Sequence, residues 1–205
     1  KCSHGYSGIE TVSVNRLVVV FRELEAMGAA NINFVSPTPY ASHIHEAVNR
    51  AKKSGFRLPF VYNTHGYDSP ETLDALDGLI DIYLPDMKYG NDDLGRKFSG
   101  AKYLYSKGKE CIRRMYEQTG LLKLNSKGLA YKGIAVRHLV IPGHAESSLQ
   151  VIDFLESVDR GIHLSLMSQF HPCDGNYDRE YPELNRTLRR EEYKKVADYA
   201  IVLGF

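Results

Sequence analysis

The sequence predicts an α/β fold in which strands and helices alternate around a parallel sheet that curls into a partial barrel. Five β-prone segments, starting at positions 31, 59, 80, 134 and 163, alternate with segments of helical periodicity. No Gly-x-Gly-x-x-Gly motif follows any of these strands, which argues against a dinucleotide-binding doubly wound sheet. Polar residues follow every strand instead of clustering at one switch point, as is typical of barrels. The 205 residues, 43% of them apolar, suit a single domain over 1–205.

The first predicted helix starts at Val14, where apolar residues begin to recur at helical spacing, with Ser13 as its N-cap and Gly28 as its end. A short strand over 31–35 follows, and the prolines of the next segment, 36–40, end it. The later predicted strands are 59–63, 80–84, 134–141 and 163–167. The later predicted helices are 44–55, 70–78, 103–118, 148–158 and 190–203, and a Gly-, Asp- and Lys-rich insertion covers 90–109.

Composition excludes several classes of function. Lys and Arg number 26 against 25 Asp and Glu, so we expect neither nucleic acid nor an anionic membrane surface as a partner. The apolar run Leu17–Phe21 is far too short to cross a bilayer. The three cysteines, Cys2, Cys111 and Cys173, are few, odd in number and widely spaced, which is typical of reduced thiols in a cytoplasmic protein.

The beginning of the chain bears on the barrel prediction. The sequence starts with Lys1 and its first predicted element is a helix. A barrel of strand–helix units needs a strand before that helix, so we expect the first strand of the barrel to precede Lys1.

Several strand-end residues are candidates for a binding site. Asp86 and Lys88 follow the third strand two positions apart, which suits a zwitterion such as an amino-acid moiety, or else makes an ordinary exposed ion pair. The turn Asn63–Gly66 offers polar side chains and a glycine that permits close backbone approach, although a tight turn without a ligand has the same pattern. Arg137 lies inside an apolar strand and needs an anionic partner, either a structural carboxylate or a ligand.

Histidines and cysteines raise the question of a metal. His43 and His45 diverge if they open a helix, so we expect no zinc site there. His171, after the last strand, is placed either to reach a ligand or to act as a capping or core histidine. Cys111 falls on an apolar helix position as a small hydrophobe, whereas Cys173 lies in a strand-end loop where it could be reactive.

Four segments in order, 31–40, 61–67, 77–89 and 136–143, resemble radical S-adenosylmethionine proteins related to pyruvate formate-lyase-activating enzyme. The resemblance implies a partial (β/α)6 barrel in which a [4Fe-4S] cluster reductively cleaves S-adenosylmethionine to a 5'-deoxyadenosyl radical. That radical abstracts hydrogen from a protein or small substrate. The implied partners are a glycyl-radical enzyme and an electron donor such as flavodoxin or ferredoxin.

The resemblance also implies a set of cofactor-binding residues but assigns no catalytic residue. The residues implied to bind S-adenosylmethionine are Ser36, Thr38, Asn63, Thr64, His65, Asp86, Lys88, Arg137 and His171. Two features depart from the family. Ser36-Pro-Thr38 replaces a Gly-Gly-Glu motif, and the Cys-x3-Cys-x2-Cys signature is absent, so we expect the cluster cysteines upstream of Lys1 and no cluster or redox activity in this chain.

Two other functions fit the same residues. One is a conventional barrel lyase or hydrolase that uses Lys88 with Asp86, or a histidine-bound metal. The other is a non-catalytic barrel remnant that binds a partner through the insertion at 90–109.

Overall fold

The computed structural model describes residues 11–172 and 181–205. The strands in this part of the chain are β1 (Ile32–Val35), β2 (Phe60–Thr64), β3 (Ile82–Pro85), β4 (Lys123–Leu124), β5 (Ala130–Leu139) and β6 (His163–Met167). The α-helices are α1 (Val14–Ala26), α2 (Ala41–Lys53), α3 (Pro70–Ala75), α4 (Asp92–Ser99), α5 (Leu104–Thr119), α6 (Ala145–Val158) and α7 (Arg190–Leu203). Short 3-10 turns cover Thr38–Tyr40 and Pro182–Asn185.

The sheet is mostly parallel, as predicted. Its strands lie in the order β1-β2-β3-β5-β6, and every neighbouring pair in that order is parallel. The two-residue strand β4 pairs antiparallel with the beginning of β5. Because consecutive parallel strands are joined by helices, the carboxyl ends of β1, β2, β3, β5 and β6 all meet at one edge of the sheet.

A barrel is not confirmed. Within the described residues β1 and β6 each pair with a single neighbour and not with each other, so the sheet is open. Two further differences concern short elements. Strand β4 is too short for a sequence pattern, and α4 lies within the predicted insertion. In α4 the Asn91 side chain accepts the backbone N–H of Leu94, and Gly100 ends the helix with a φ of 69°.

Local sequence signals explain where α1 and α3 begin. The Ser13 hydroxyl accepts the backbone N–H of Arg16 at 3.2 Å, so Ser13 is the N-cap of α1, as predicted. Ser69 caps α3 in the same way, and Pro70 occupies its first turn, where no backbone N–H is needed.

Apolar faces of the helices bury the sheet. The main core packs aromatic residues of the strands, such as Phe60, Tyr62 and Tyr83, against Phe21 of α1 and Ile112 of α5. A smaller core lies among β5, α6 and α7. No helix of the described part of the chain is both long and apolar enough to span a bilayer. Burial of consecutive residues in β2, β3 and β5 makes the centre of the sheet a rigid support for side chains at its carboxyl edge.

Candidate functional site

The predicted site residues lie at the carboxyl edge of the sheet. Parallel register places Val35 of β1 beside Asn63 of β2, and Thr64 beside Pro85 of β3. One residue further on, Asp86 pairs with Arg137 of β5 through an isolated bridge. Strand pairing alone therefore brings loops that are distant in sequence together at one place.

Asp86 is the centre of the site. Its Oδ1 atom accepts from Nε of Arg137 at 2.8 Å and lies 2.6 Å from Nη2 of the same guanidinium. The Nη2 atom also donates to Oδ1 of Asn63 at 2.8 Å. The anionic partner predicted for Arg137 is thus a carboxylate of the chain itself. One guanidinium ties together the carboxyl ends of β2, β3 and β5.

A second cation and an imidazole lie on the other side of Asp86. Lys88 Nζ is 3.6 Å from Asp86 Oδ2 and 3.5 Å from Nδ1 of His65. The other His65 nitrogen, Nε2, is 3.3 Å from the Ser36 hydroxyl. Two cations therefore surround one carboxylate that is only 10% exposed, and the cluster carries excess positive charge that attracts an anion.

Thr38 and Thr64 belong to a different network, centred on the buried Asp68. The Thr64 hydroxyl donates to Oδ2 of Asp68 at 2.6 Å, and the Thr38 hydroxyl donates to Oδ1 at 2.7 Å. The Tyr62 hydroxyl donates to the same Oδ1 at 2.9 Å, and Thr64 is only 1% exposed. These hydroxyls are committed to holding the loops after β1 and β2 together. Asp68 was not among the predicted site residues; its one signal in the sequence is an acidic residue directly before the N-cap Ser69.

Two residues with positive φ bring the backbones of the same loops close together. Gly66 has a φ of 70°, and a Cβ atom there would lie 2.7 Å from the Asp86 carbonyl oxygen. The close approach at this glycine is made by the chain's own backbone. Ser36 adopts a φ of 52°, a left-handed conformation that is uncommon for serine, and its backbone N–H donates to the Asn63 carbonyl at 2.9 Å.

His138 holds the backbone next to Asp86 and was not predicted as a site residue. It is buried in β5, with Nδ1 2.5 Å from the Met87 carbonyl and Nε2 2.8 Å from the Ser148 hydroxyl. A carbonyl can only accept, so Nδ1 carries the proton and Nε2 accepts from the serine. Burial lowers the pKa of His138 to about 4, and the ring is therefore neutral at pH 7.

His171 is not brought into this cluster by the described contacts. It is exposed, and its Nδ1 bonds to the adjacent Pro172 carbonyl at 2.9 Å. Cys2 and Cys173 lie outside the described residues.

The described residues do not fit a metal cluster. Over 11–172 and 181–205 no three His, Cys, Asp or Glu side chains are grouped so that they could hold a metal ion. Cys111 lies in the core, as predicted, and donates to the Asp68 carbonyl at 3.1 Å. Burial raises the pKa of its thiol to about 11, which disfavours the thiolate that an iron–sulfur cluster requires. His43 and His45 lie at the start of α2, where their side chains point to different sides.

A cleft of about 220 Å³ opens beside the cluster. His65, Asp86 and Lys88 line one side of it, and the first turns of α5 line the other. The site thus combines an excess of positive charge with a concave space next to it.

Comparisons with known proteins support the fold. No protein-family model matches the chain. Over 175 residues, 83% of the chain, it is 29% identical to an uncharacterized protein of Methanocaldococcus jannaschii, and the chain spans 46% of that protein. A crystal structure of a domain of pyruvate-formate lyase-activating enzyme from Bacteroides vulgatus covers 86% of this chain and 96% of that domain, with a TM-score of 0.60 and 14% identity. At that identity the likeness shows that the two share an α/β fold.

Proposed function

We propose that this chain is the S-adenosylmethionine-binding part of a radical S-adenosylmethionine enzyme similar to the glycyl-radical activating group. The observation that carries the proposal is the cationic cluster at the carboxyl edge of the sheet, where Arg137 and Lys88 surround the single carboxylate of Asp86. The fold shared with a domain of an activating enzyme supports it.

The chemistry of the cluster suits the amino-acid end of this ligand. Its carboxylate would bind Lys88 Nζ and the Arg137 guanidinium, whose bonds to described residues use only Nε and Nη2. Hydroxyl and carbonyl oxygens near Ser36 would accept from the ammonium group. Asp86 holds both cations in place and keeps their charges directed towards the mouth of the site.

The redox half of the reaction is not assigned to these residues. Reductive cleavage of S-adenosylmethionine requires a [4Fe-4S] cluster, and the described residues do not fit one. We propose that cluster cysteines before Lys1 belong to a longer protein. Its substrate would be a glycyl-radical enzyme or a small molecule, and its electron donor a flavodoxin or ferredoxin.

Calorimetric titration of the chain with S-adenosylmethionine tests the proposal. We expect binding that weakens about tenfold in Lys88→Met and in Arg137→Met, because each removes a charge-assisted bond to the carboxylate. Lys127→Met, which removes an exposed lysine in a distant turn, is the matched control and should bind like the natural chain. Absence of binding by the natural chain at millimolar ligand, or equal binding by all variants, would contradict the proposal.

A second candidate is an enzyme that forms a Schiff base through Lys88. The observation in its favour is that Lys88 Nζ lies at the cleft beside two groups able to take a proton, Asp86 at 3.6 Å and His65 at 3.5 Å. Borohydride reduction in the presence of small aldehydes and ketones should then leave a stable adduct on Lys88. Peptide mass spectrometry that finds no such adduct, or adducts spread over exposed lysines, would exclude this candidate.

A further inference from the structure

The cleft beside the cationic cluster has two chemically different ends. At one end Lys88 and His65 present nitrogen atoms to the opening, with Asp86 behind them. On the other side the α4–α5 segment contributes the apolar side chains of Ala101 and Leu104, together with Ser99, whose hydroxyl is bonded to the Tyr89 hydroxyl at 2.8 Å. An occupant that satisfies both ends must itself carry a negative group and an apolar body.

A glycine in the middle of α5 keeps this cleft open. Gly108 lines the cleft in regular helical conformation, and a Cβ there would meet only the Gly66 carbonyl oxygen, at an ordinary 3.7 Å. Gly95 in α4 is different, because its Cβ would lie 2.9 Å from Cβ of Leu104, so helix packing requires glycine there. Neither backbone strain nor packing requires Gly108, yet glycine inside a helix is destabilising relative to alanine. Gly108 therefore leaves space in the cleft that a longer side chain would fill.

We infer that this cleft binds a small monocarboxylate with a compact aliphatic body. The carboxylate bonds to Lys88 Nζ, and the aliphatic body lies against Leu104 and over Gly108. An inorganic anion would leave the apolar wall in water, and an uncharged apolar molecule would leave uncompensated the excess positive charge of Lys88 and Arg137 over Asp86. The volume of about 220 Å³ suits a molecule of this size and excludes a folded protein segment from the interior of the cleft.

This inference goes beyond the proposed function, because it depends on Lys88 and on the α4–α5 wall and does not require S-adenosylmethionine. The ligand would be a substrate or effector that competes with the carboxylate of S-adenosylmethionine for Lys88. The two proposals can therefore fail separately.

The test is calorimetric titration of the full chain with sodium 4-methylpentanoate, 4-methylpentan-1-ol and sodium phosphate. We expect binding of the carboxylate, with the alcohol and phosphate each at least about tenfold weaker, since each lacks one of the two matched groups. Lys88→Met should weaken the carboxylate about tenfold and Lys88→Arg should retain most of the affinity.

Filling the cleft provides the second arm of the test. Gly108→Leu should abolish carboxylate binding, whereas Gly108→Ala should remain folded with an unchanged or higher melting temperature and show intermediate affinity. Lys127→Met is the control for charge and should leave carboxylate binding unchanged. Equal binding of alcohol and carboxylate, preference for phosphate, no binding at millimolar carboxylate, or full affinity in folded Gly108→Leu would each overturn the inference. Carboxylate binding without S-adenosylmethionine binding would sustain this inference and reject the proposed function.

Discussion

Acid should destabilise this protein through a single buried histidine. The His138 ring is buried beneath the site, donates to the Met87 carbonyl and accepts from the Ser148 hydroxyl, so the fold binds its neutral form. Burial lowers its pKa in the folded chain to about 4, whereas an unfolded chain titrates it near 6.5. Below about pH 6.5 the histidine of the unfolded state becomes protonated, whereas the buried histidine of the folded state stays neutral. The free energy of unfolding therefore decreases as the pH decreases, and the loss is complete near pH 4.

The size of the effect follows from the two pKa values. At pH 7.5 both states hold neutral histidine and the contribution is close to zero. At pH 4.5 the unfolded state is almost fully protonated and the folded state only partly, which corresponds to about 2.5 kcal/mol of lost stability. This is a large share of the about 5–15 kcal/mol that typically holds a domain folded.

Urea unfolding of the natural chain and of His138→Asn at pH 7.5 and pH 4.5 measures this contribution. The asparagine amide retains a donor towards the Met87 carbonyl but cannot be protonated. We expect the variant to be less stable at pH 7.5, because it loses volume and the bond to Ser148, yet to lose about 2.5 kcal/mol less than the natural chain on acidification. His43→Asn, which removes an exposed histidine of α2, should behave like the natural chain.

Parallel losses of stability in the natural chain and in His138→Asn would refute the reasoning. If the variant does not fold, the nuclear magnetic resonance titration of the His138 ring in the natural chain gives the same information. A ring that becomes protonated near pH 6.5 without unfolding would show that the buried, neutral environment is not as described.

Three further predictions concern the packing of the site. Gly66→Ala should destabilise the chain by about 1–3 kcal/mol more than Gly28→Ala, because both glycines have positive φ but only at Gly66 would the new Cβ meet a carbonyl oxygen, that of Asp86, at 2.7 Å. Urea unfolding of both variants measures the difference, and equal losses would contradict the prediction. With the other two cysteines replaced by serine, the Cys111 thiol should react with a disulfide reagent at pH 8 at least about a hundredfold more slowly in the native chain than in urea, since burial raises its pKa to about 11. Comparable reaction rates in the two conditions would show that the thiol is accessible. Asp68→Asn should lower the free energy of unfolding in urea by about 2–4 kcal/mol, because three hydroxyl groups donate to that buried carboxylate and an amide can accept fewer of those bonds. A decrease below about 0.5 kcal/mol would mean that the network does not hold the loops.

Hydrophobic periodicity and capping residues predicted most of the helices and strands. The predicted final helix, 190–203, coincides with α7, and the predicted 103–118 helix matches α5 within one residue. Ser13 and Ser69 are N-caps as predicted, because a capping hydroxyl acts over three residues and leaves a local mark in the sequence. Whether the sheet closes into a barrel cannot be predicted from such local patterns, since closure depends on whether the two edge strands pair with each other.

The sequence by itself determined the alternation of strands and helices, the parallel sheet and the gathering of polar residues after the strands. These features follow from periods of two and 3.6 residues and from turn chemistry, which act between near neighbours. Only the tertiary structure decided that Asp86 is the partner of Arg137, that Thr64 is committed to the buried Asp68, and that the described contacts leave His171 apart. Asp86 and Arg137 are 51 positions apart, and Thr38 and the same Asp68 are 30 apart, so these bonds exist only after strand register has brought the loops together at one edge.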